Sequence, residues 1–202
     1  MRKNQNILLT IIVLTLLLPC IIYGQNTNYS KIEKKYADRE QLINNIIPNK
    51  QILYWKYVET SSTKIIREVG NKELLSNYKI TIPNQGFFIE CNPGYCYSYI
   101  VYIDSNGLNY ITSENSLINF IGTIDNLSEA ILVGKTQGLW IDTENPKGGS
   151  YIKTKTGFEM NLLKYNGCPE TYESIFFKID FVGKFKLKSK GIYKKTGECY
   201  ME

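Results

Sequence analysis

The chain has 202 residues, of which 24 are basic and 19 acidic, and it contains no histidine. Without imidazole there is no Ser-His-Asp or Cys-His nucleophile pair, no histidine metal ligand and no side chain whose ordinary pKa lies near neutrality. The formal charge of +5 is a mild bias without a strong basic stripe, so nucleic acid is not an expected partner.

The amino-terminal residues predict an export signal. Arg2 and Lys3 precede an apolar run over 7–18, and Gly24 offers a small residue for cleavage. A basic head, an apolar core and a small-residue exit are the order of a secretory signal peptide. We therefore predict a signal peptide over 1–24.

Two other interpretations of the leader are weaker. A retained membrane anchor needs about twenty apolar residues, and Pro19 interrupts this shorter stretch. A lipid-anchored protein would begin at Cys20, but Pro19 stands where that signal requires a small residue. The expected mature chain is one exported domain over 25–202, periplasmic or extracellular, with no membrane span after cleavage of the signal.

The first elements of the mature chain are predicted from periodicity. Apolar residues at helical spacing indicate a helix over 29–47, which Pro48 ends. Runs of β-branched and aromatic residues then predict strands over 51–58 and 64–69, joined by a turn at 60–63.

The turn carries a motif that raises an enzymatic alternative. Ser61 and Lys64 fit S-x-x-K, and with 113–115 and 195–197 they follow the order of penicillin-binding enzymes and class A β-lactamases. In those enzymes the serine opens a long helix, whereas 64–69 alternates like a strand. Acyl transfer therefore stays a minor alternative.

The first close cysteine pair predicts a hairpin disulfide. Cys91 and Cys96 flank Asn92-Pro93-Gly94-Tyr95, whose proline and glycine suit a type II turn. Strand-like runs over 86–90 and 97–103 lie on either side. A four-residue loop would place the two cysteines opposite each other, within disulfide distance.

Tyrosines follow this turn at alternating positions. Tyr95, Tyr97 and Tyr99 would project from one face of a strand, with Tyr110 and Trp140 nearby. An exposed row of rings would provide a platform for a sugar or a peptide. The competing interpretation is that this face packs against helices in the core.

Two short helices are expected in the centre of the chain. Their boundaries follow from N-cap residues and from a terminal glycine. The elements predicted here are a turn at 104–107, a strand over 108–112, helices over 114–121 and 127–137, and a loop over 142–150.

Acidic residues in this loop support a second enzymatic alternative. Asp142 and Glu144 lie near Trp140 and Tyr151, and acids beside aromatic residues are typical of sugar-cleaving sites. The same loop could bind calcium, although it lacks the regular acid spacing of a calcium-binding loop. Solvated surface carboxylates are the simpler interpretation.

The carboxyl-terminal part predicts strands over 151–155 and 158–165 and then a hairpin around Gly183. A three-residue loop would pair Phe181 with Phe185 and Ile179 with Leu187. That register misses a pairing of the flanking cysteines by one residue, which a bulge at Gly191 would absorb.

The cysteine count favours two disulfides in an oxidising compartment. The two turns select one pairing, in which Cys91 bonds to Cys96 and Cys168 bonds to Cys199. A zinc site would need two close pairs, and a redox pair usually has a shorter spacing, so neither is expected.

Lysines alternate along the last strand. Their common face is more consistent with a solvated sheet surface that discourages edge pairing than with a site for an acidic polymer. These residues are Lys184, Lys186, Lys188 and Lys190.

The segment 97–165 resembles small exported proteins of Gram-negative bacteria of the Bacteroidota type. The resemblance is carried by Tyr97-Ser98-Tyr99-Ile100-Val101-Tyr102-Ile103-Asp104, Phe120-Ile121-Gly122, Ile124-Asp125-Asn126-Leu127 and Gly148-Gly149-Ser150-Tyr151. It implies a periplasmic or secreted location and assigns no active site.

Together these features predict an α+β domain, mostly antiparallel sheet built from hairpins, with an N-terminal helix and two short central helices. The expected function is a non-catalytic binding or protein-interaction module without cofactor, metal or catalytic residues. Its expected partner is a glycan, a peptide or an envelope protein. The alternative is a histidine-free hydrolase that uses carboxylates on a glycan or, less favoured, serine and lysine in acyl transfer.

Overall fold

The computed structural model describes residues 28–61, 64–89 and 95–199. The chain alternates short helices with antiparallel strands. In order, the elements are β1 (Ser30–Lys31), a 3-10 helix (Lys34–Ala37), α1 (Arg39–Ile43), β2 (Tyr54–Glu59), β3 (Lys64–Gly70), a second 3-10 helix (Lys72–Asn77), β4 (Ser98–Asp104), β5 (Gly107–Ile111), α2 (Glu114–Ile121), α3 (Leu127–Thr136), β6 (Gly149–Lys153), β7 (Gly157–Gly167), β8 (Glu170–Asp180) and β9 (Phe185–Lys195).

The strands form two antiparallel sheets. One has the order β1-β6-β7-β8-β9 and the other β3-β2-β4-β5. A single cluster of buried hydrophobic residues contacts one face of each sheet and the helices between them. The prediction of an α+β fold dominated by antiparallel sheet is therefore confirmed, and each sheet has an outer face turned away from this core.

The predicted N-terminal helix over 29–47 is wrong in its extent. Ser30 and Lys31 instead pair with β6, and Asp38 is extended, so the 3-10 helix ends before α1 begins. The Asp38 carboxylate accepts a hydrogen bond from the Glu40 amide at 3.0 Å and caps the five-residue α1. Ile32 and Ile43 are fully buried, so the apolar spacing reflects burial by tertiary structure and not one continuous helix.

The two central helices are confirmed. The Ser113 hydroxyl accepts from the Ser116 amide at 3.3 Å and starts α2. Asn126 and Glu129 form a reciprocal capping box that starts α3. Eight successive residues of α3 are buried, so this helix lies inside the core instead of presenting one face to solvent.

The predicted strand over 86–90 is wrong in its described part, 86–89. Phe87 forms only an isolated bridge with Ser98, through reciprocal backbone hydrogen bonds of 2.9 and 2.8 Å. Cys96 is disulfide-bonded. Its predicted partner, Cys91, lies outside the described residues, as do residues 92–94 of the predicted turn over 92–95.

The last hairpin has a different register from the predicted one. Ile179 pairs with Phe185 and not with Leu187, which pairs with Phe177. The cause is Asp180, whose carboxylate accepts hydrogen bonds from the Val182 and Lys184 amides at 3.1 and 2.9 Å. Its own amide donates to the Lys184 carbonyl at 2.9 Å, so these contacts close the turn. Because the register differs by two residues, the predicted core face is preserved.

The predicted Cys168–Cys199 disulfide is confirmed. The register of β8 and β9 shifts on both sides of Glu173, and Gly191 has a φ of +92° in this irregular stretch. The shifts bring the cysteines beyond the strand ends to a Cα–Cα distance of 4.2 Å. A disulfide of this kind is typical of an oxidising, exported environment.

Within the part of the chain that the structure describes, every helix is too short or too polar to cross a lipid bilayer.

Candidate functional site

The alternating tyrosines lie on the outer face of the four-stranded sheet. Along β4, Ile100 packs in the core between the two sheets. Tyr99 and Val101 instead form a separate buried cluster with Val58, on the opposite face, and Tyr97 packs against it. The interpretation that this tyrosine face packs against the helices is therefore wrong, because the helices cover the other side of the strand.

A groove on this outer face has a volume of about 310 Å³. We call it the tyrosine groove. Residues from β2, β3, β4 and two neighbouring loops line it: Lys56, Val58, Thr60, Ile65, Ile82, Tyr95, Tyr97 and Tyr99.

The three groove tyrosines form a graded row of rings. Successive ring centroids are 5.3 Å apart between Tyr95 and Tyr97, and 6.5 Å apart between Tyr97 and Tyr99. Tyr99 is only 5% exposed, Tyr97 is half-buried and Tyr95 is 59% exposed. The buried ring of Tyr99 therefore forms the floor of the groove, and the exposed ring of Tyr95 lies at its mouth.

Hydrogen bonds fix the middle of the row. The Tyr97 amide donates to the Thr60 hydroxyl at 2.9 Å, and the Thr60 amide donates to the Tyr97 carbonyl at 2.9 Å. The Tyr97 hydroxyl donates to the carbonyl of Pro83. The Pro83 contact holds the loop that carries Ile82 beside the groove, and the Thr60 contacts hold the end of β2 against Tyr97. Such contacts preorganise the groove for a ligand.

Tyr110 has a different role from the one predicted. It packs against the same outer cluster, but its hydroxyl accepts a hydrogen bond from the Thr81 amide at 3.2 Å. It anchors the loop and is not among the residues that line the tyrosine groove.

The groove carries little charge. Lys56 is the charged side chain among its described lining residues. Burial raises the pKa of Tyr99, and the neighbouring Tyr110 and Tyr97 raise it further, so the phenol stays protonated at physiological pH. The surface offers ring faces, neutral hydroxyls and a single ammonium group.

Trp140 lies in another part of the fold. It bridges to Leu163 of β7 through backbone hydrogen bonds of 2.7 and 2.9 Å. The Lys135 ammonium lies 4.6 Å from the centroid of its ring, and burial lowers the pKa of that lysine. Trp140 lines a depression with Phe88 and Ile89. The prediction that it lies near the tyrosine row is therefore wrong.

The two loop carboxylates have unequal surroundings. One oxygen of Asp142 accepts hydrogen bonds from the amides of Glu144 and Asn145, each at 3.0 Å. The other accepts from the Tyr193 hydroxyl at 2.8 Å. The Glu144 side chain is exposed and contacts only the neighbouring Thr143 hydroxyl, at 3.4 Å. Asp142 is a structural brace between this loop and β9, and the geometry does not favour a catalytic pair.

Truncating these two acids should have different effects on stability. Asp142→Ala leaves two turn amides and the Tyr193 hydroxyl without their acceptor, so we expect a loss of about 1–3 kcal/mol. Glu144→Ala should change the free energy of unfolding by less than about 0.5 kcal/mol. Urea unfolding of both variants measures the difference, and equal losses would contradict the bracing role.

The serine and lysine motif does not form its expected arrangement. Lys64 is the first residue of β3 and forms an ion pair with Glu40, and Ser61 precedes this strand instead of a helix. Ser113 is used as the N-cap of α2. Across the described ranges, no group of three or more cysteine or acidic residues is placed to hold a metal ion.

A polar pocket of about 160 Å³ was not anticipated from the sequence. Arg39 of α1 and Glu59 of β2 form a 2.8 Å ion pair at its wall. Ser98 also lines it, and the buried hydroxyls of Ser98 and Tyr57 have no hydrogen-bond partner among the described residues. The sequence signal for this pocket is Ser98, a polar residue that alternates with the core residues Ile100 and Tyr102 along β4.

No family model matches this chain, and it has no match among curated proteins or solved structures. The resemblance of 97–165 to exported proteins of the Bacteroidota type thus receives no support from these comparisons.

Proposed function

We propose that this protein is an exported, non-catalytic binding module whose tyrosine groove binds a carbohydrate chain. The observation that carries the proposal is the row of three tyrosine rings on an outer sheet face, with its floor buried and its mouth open. Ring faces pack against the apolar faces of sugar rings, while phenol hydroxyls can bond to sugar hydroxyls.

The position of the groove favours a sugar over an extended peptide. The groove lies over β2 and β4, which are the inner strands of the order β3-β2-β4-β5. Their backbone groups are already paired on both sides, so no free strand edge is available there for a peptide to extend the sheet. A ligand in this groove must be recognised by side chains.

The proposed export follows from the predicted signal peptide over 1–24 and is supported by the Cys168–Cys199 disulfide. Intact mass spectrometry of protein expressed with its own leader in a bacterial host tests this proposal. A chain that starts near Gln25 and gains protons on reduction supports it. A retained leader with free thiols contradicts it, and an acylated Cys20 would identify a lipid-anchored form.

Ligand binding can be tested by thermal unfolding. Short soluble oligosaccharides of glucose, xylose, mannose and N-acetylglucosamine are the probes, with a library of unstructured peptides in parallel. A ligand that binds only the folded state raises the melting temperature in a saturable way. Stabilisation by a sugar without release of reducing ends supports the proposal. Stabilisation by peptides alone would show that the protein binds peptides and not sugars. Release of reducing ends would show that it is a hydrolase.

Replacing the exposed tyrosine should weaken sugar binding selectively. In Tyr95→Ala we expect about tenfold lower affinity for the sugar identified in that screen, because one stacked ring is lost. Its stability should change little, since Tyr95 is 59% exposed. Isothermal titration calorimetry measures the affinity. Tyr78→Ala is the matched control, because Tyr78 is also exposed but does not line the groove. Equal affinities for both variants would contradict the site.

A further inference from the structure

The outer face of the five-stranded sheet carries a second, chemically different surface. Lys186, Lys188 and Lys190 alternate along β9, so their side chains share one face at intervals of about 6.7 Å. Phe185 of the same strand stacks on Phe177 in the core, so the lysines point away from the core.

Lys178 extends this surface onto the neighbouring strand. It lies in β8, directly opposite Lys186 in the register. Like charges in directly opposed positions destabilise a sheet. A lysine-rich edge strand protects against edge pairing, but β8 is an inner strand with partners on both sides, so edge protection does not account for Lys178.

The surface has a surplus of positive charge. We call it the lysine face, defined by five residues: Lys178, Lys184, Lys186, Lys188 and Lys190. Two carboxylates lie among or beside them, Glu159 and Asp180. Glu159 forms an ion pair with Lys178 at 2.7 Å, while the Asp180 carboxylate accepts from the turn amides.

The remaining contacts of the lysine face involve neutral groups. Lys190 donates to the Asn161 side chain at 2.7 Å and lies 5.1 Å from the centroid of the Phe176 ring. Neither contact neutralises the charge. Among the described residues, five ammonium groups share this surface with the carboxylates of Glu159 and Asp180, and Glu173 accepts from Ser189 of β9. The lysines remain in excess, so the face is complementary to an anionic surface.

An exposed apolar residue lies at the tip of the hairpin that carries the lysine face. Val182, in the turn between β8 and β9, is 71% exposed and is the most exposed large hydrophobic side chain among the described residues. It lies two residues before Lys184, and it lines a shallow depression with Ile118 of α2 and with Gly122. A basic surface that ends in an exposed apolar group suits the boundary between lipid headgroups and acyl chains, where charge attraction and apolar burial add.

We propose that the lysine face docks this protein on a lipid bilayer with anionic phosphate headgroups, and that Val182 enters the bilayer interface. The lysine face and the tyrosine groove lie on different sheets, so the proposal does not depend on sugar binding.

Co-sedimentation of the purified protein with vesicles tests the docking. Phosphatidylcholine vesicles with and without phosphatidylglycerol are compared at increasing NaCl concentration. We expect binding only to the anionic vesicles, and we expect it to weaken as salt rises. Equal binding to both kinds of vesicle, or none to either, would overturn the proposal.

Variants locate the binding surface. The triple variant K186Q/K188Q/K190Q should bind anionic vesicles roughly a hundredfold more weakly, because three lysine contacts are lost. The control K34Q/K50Q/K79Q changes the net charge equally but lies outside the lysine face, and it should bind like the parent protein. Equal losses in both triples would show a general charge effect and overturn the assignment.

The effect of Val182 on binding distinguishes a bilayer from a soluble polyanion as the partner of the lysine face. Val182→Ser should weaken vesicle binding several-fold without changing its salt dependence, because it removes buried apolar area and no charge. Inorganic polyphosphate serves as the soluble probe. If polyphosphate binds and vesicles do not, or if Val182→Ser leaves vesicle binding unchanged, the lysine face is not a bilayer-docking surface.

Discussion

The double variant Cys168→Ser/Cys199→Ser is expected to lose about 3–4 kcal/mol of unfolding free energy, because the disulfide closes a loop with a sequence separation of 31. Without the bond, the unfolded chain regains the conformations that the closed loop forbids. Urea unfolding at neutral pH measures the loss as a lower midpoint concentration.

Serine variants are preferable to chemical reduction, because a reductant would also break the disulfide of Cys96. The parent protein under oxidising conditions is the reference. Backbone hydrogen bonds between Glu170 and the segment 196–198 hold the same chain ends, at 2.7 and 3.2 Å. A loss below about 1 kcal/mol would show that these bonds alone restrain the hairpin ends.

Glu129→Ala should destabilise the fold by about 3 kcal/mol or more. Glu129 is fully buried, and its carboxylate accepts hydrogen bonds from three backbone amides, those of Ile47 at 2.7 Å, Asp125 at 2.7 Å and Asn126 at 3.3 Å. Alanine leaves all three donors without this acceptor, and each unsatisfied buried amide costs about 1–3 kcal/mol. The substitution also removes half of the capping box of α3.

Urea unfolding of Glu129→Ala measures this loss. Glu73→Ala is the matched control, since Glu73 also lies in the first turn of a helix but is exposed. The control should differ from the parent by less than about 0.5 kcal/mol. Similar losses in the two variants would contradict the role of Glu129 in joining the N-terminal segment to α3.

The loss caused by Glu129→Ala should also depend on pH. Burial raises the pKa of Glu129 above its ordinary value of 4.5, although the backbone hydrogen bonds oppose this shift. The folded state therefore binds the proton more tightly than the unfolded state. The contribution of Glu129 to stability is largest below pH 4.5 and falls as pH rises from there through the raised folded pKa. The loss in the variant should accordingly be larger in acid than at neutral pH.

Local signals in the sequence predicted much of the secondary structure. Ser113 and Asn126 cap the two central helices through hydrogen bonds within their own first turns, so the sequence alone locates those helices. The N-terminal segment could not be predicted in this way. Ile32 is buried because the chain reaches the edge of β6, and that partner is remote in sequence.

The candidate site was predictable only in part. Alternation along one strand correctly placed Tyr95, Tyr97 and Tyr99 together. The position of Trp140 depended on its bridge to β7, which no local pattern indicates. Whether the tyrosines face solvent or helices also depended on which side of the sheet the helices cover.

The pairing of the first and sixth strands determines when the fold can be completed. Ser30 and Lys31 have Tyr151 and Ser150 as their strand partners, and the Tyr29 hydroxyl bonds to Glu159, which is 130 positions away. During synthesis, the backbone of Ser30 and Lys31 cannot be paired until residues 150 and 151 have been made. Contacts of such long range close slowly because a large loop must be ordered first. A nascent chain shorter than this span cannot close the sheet.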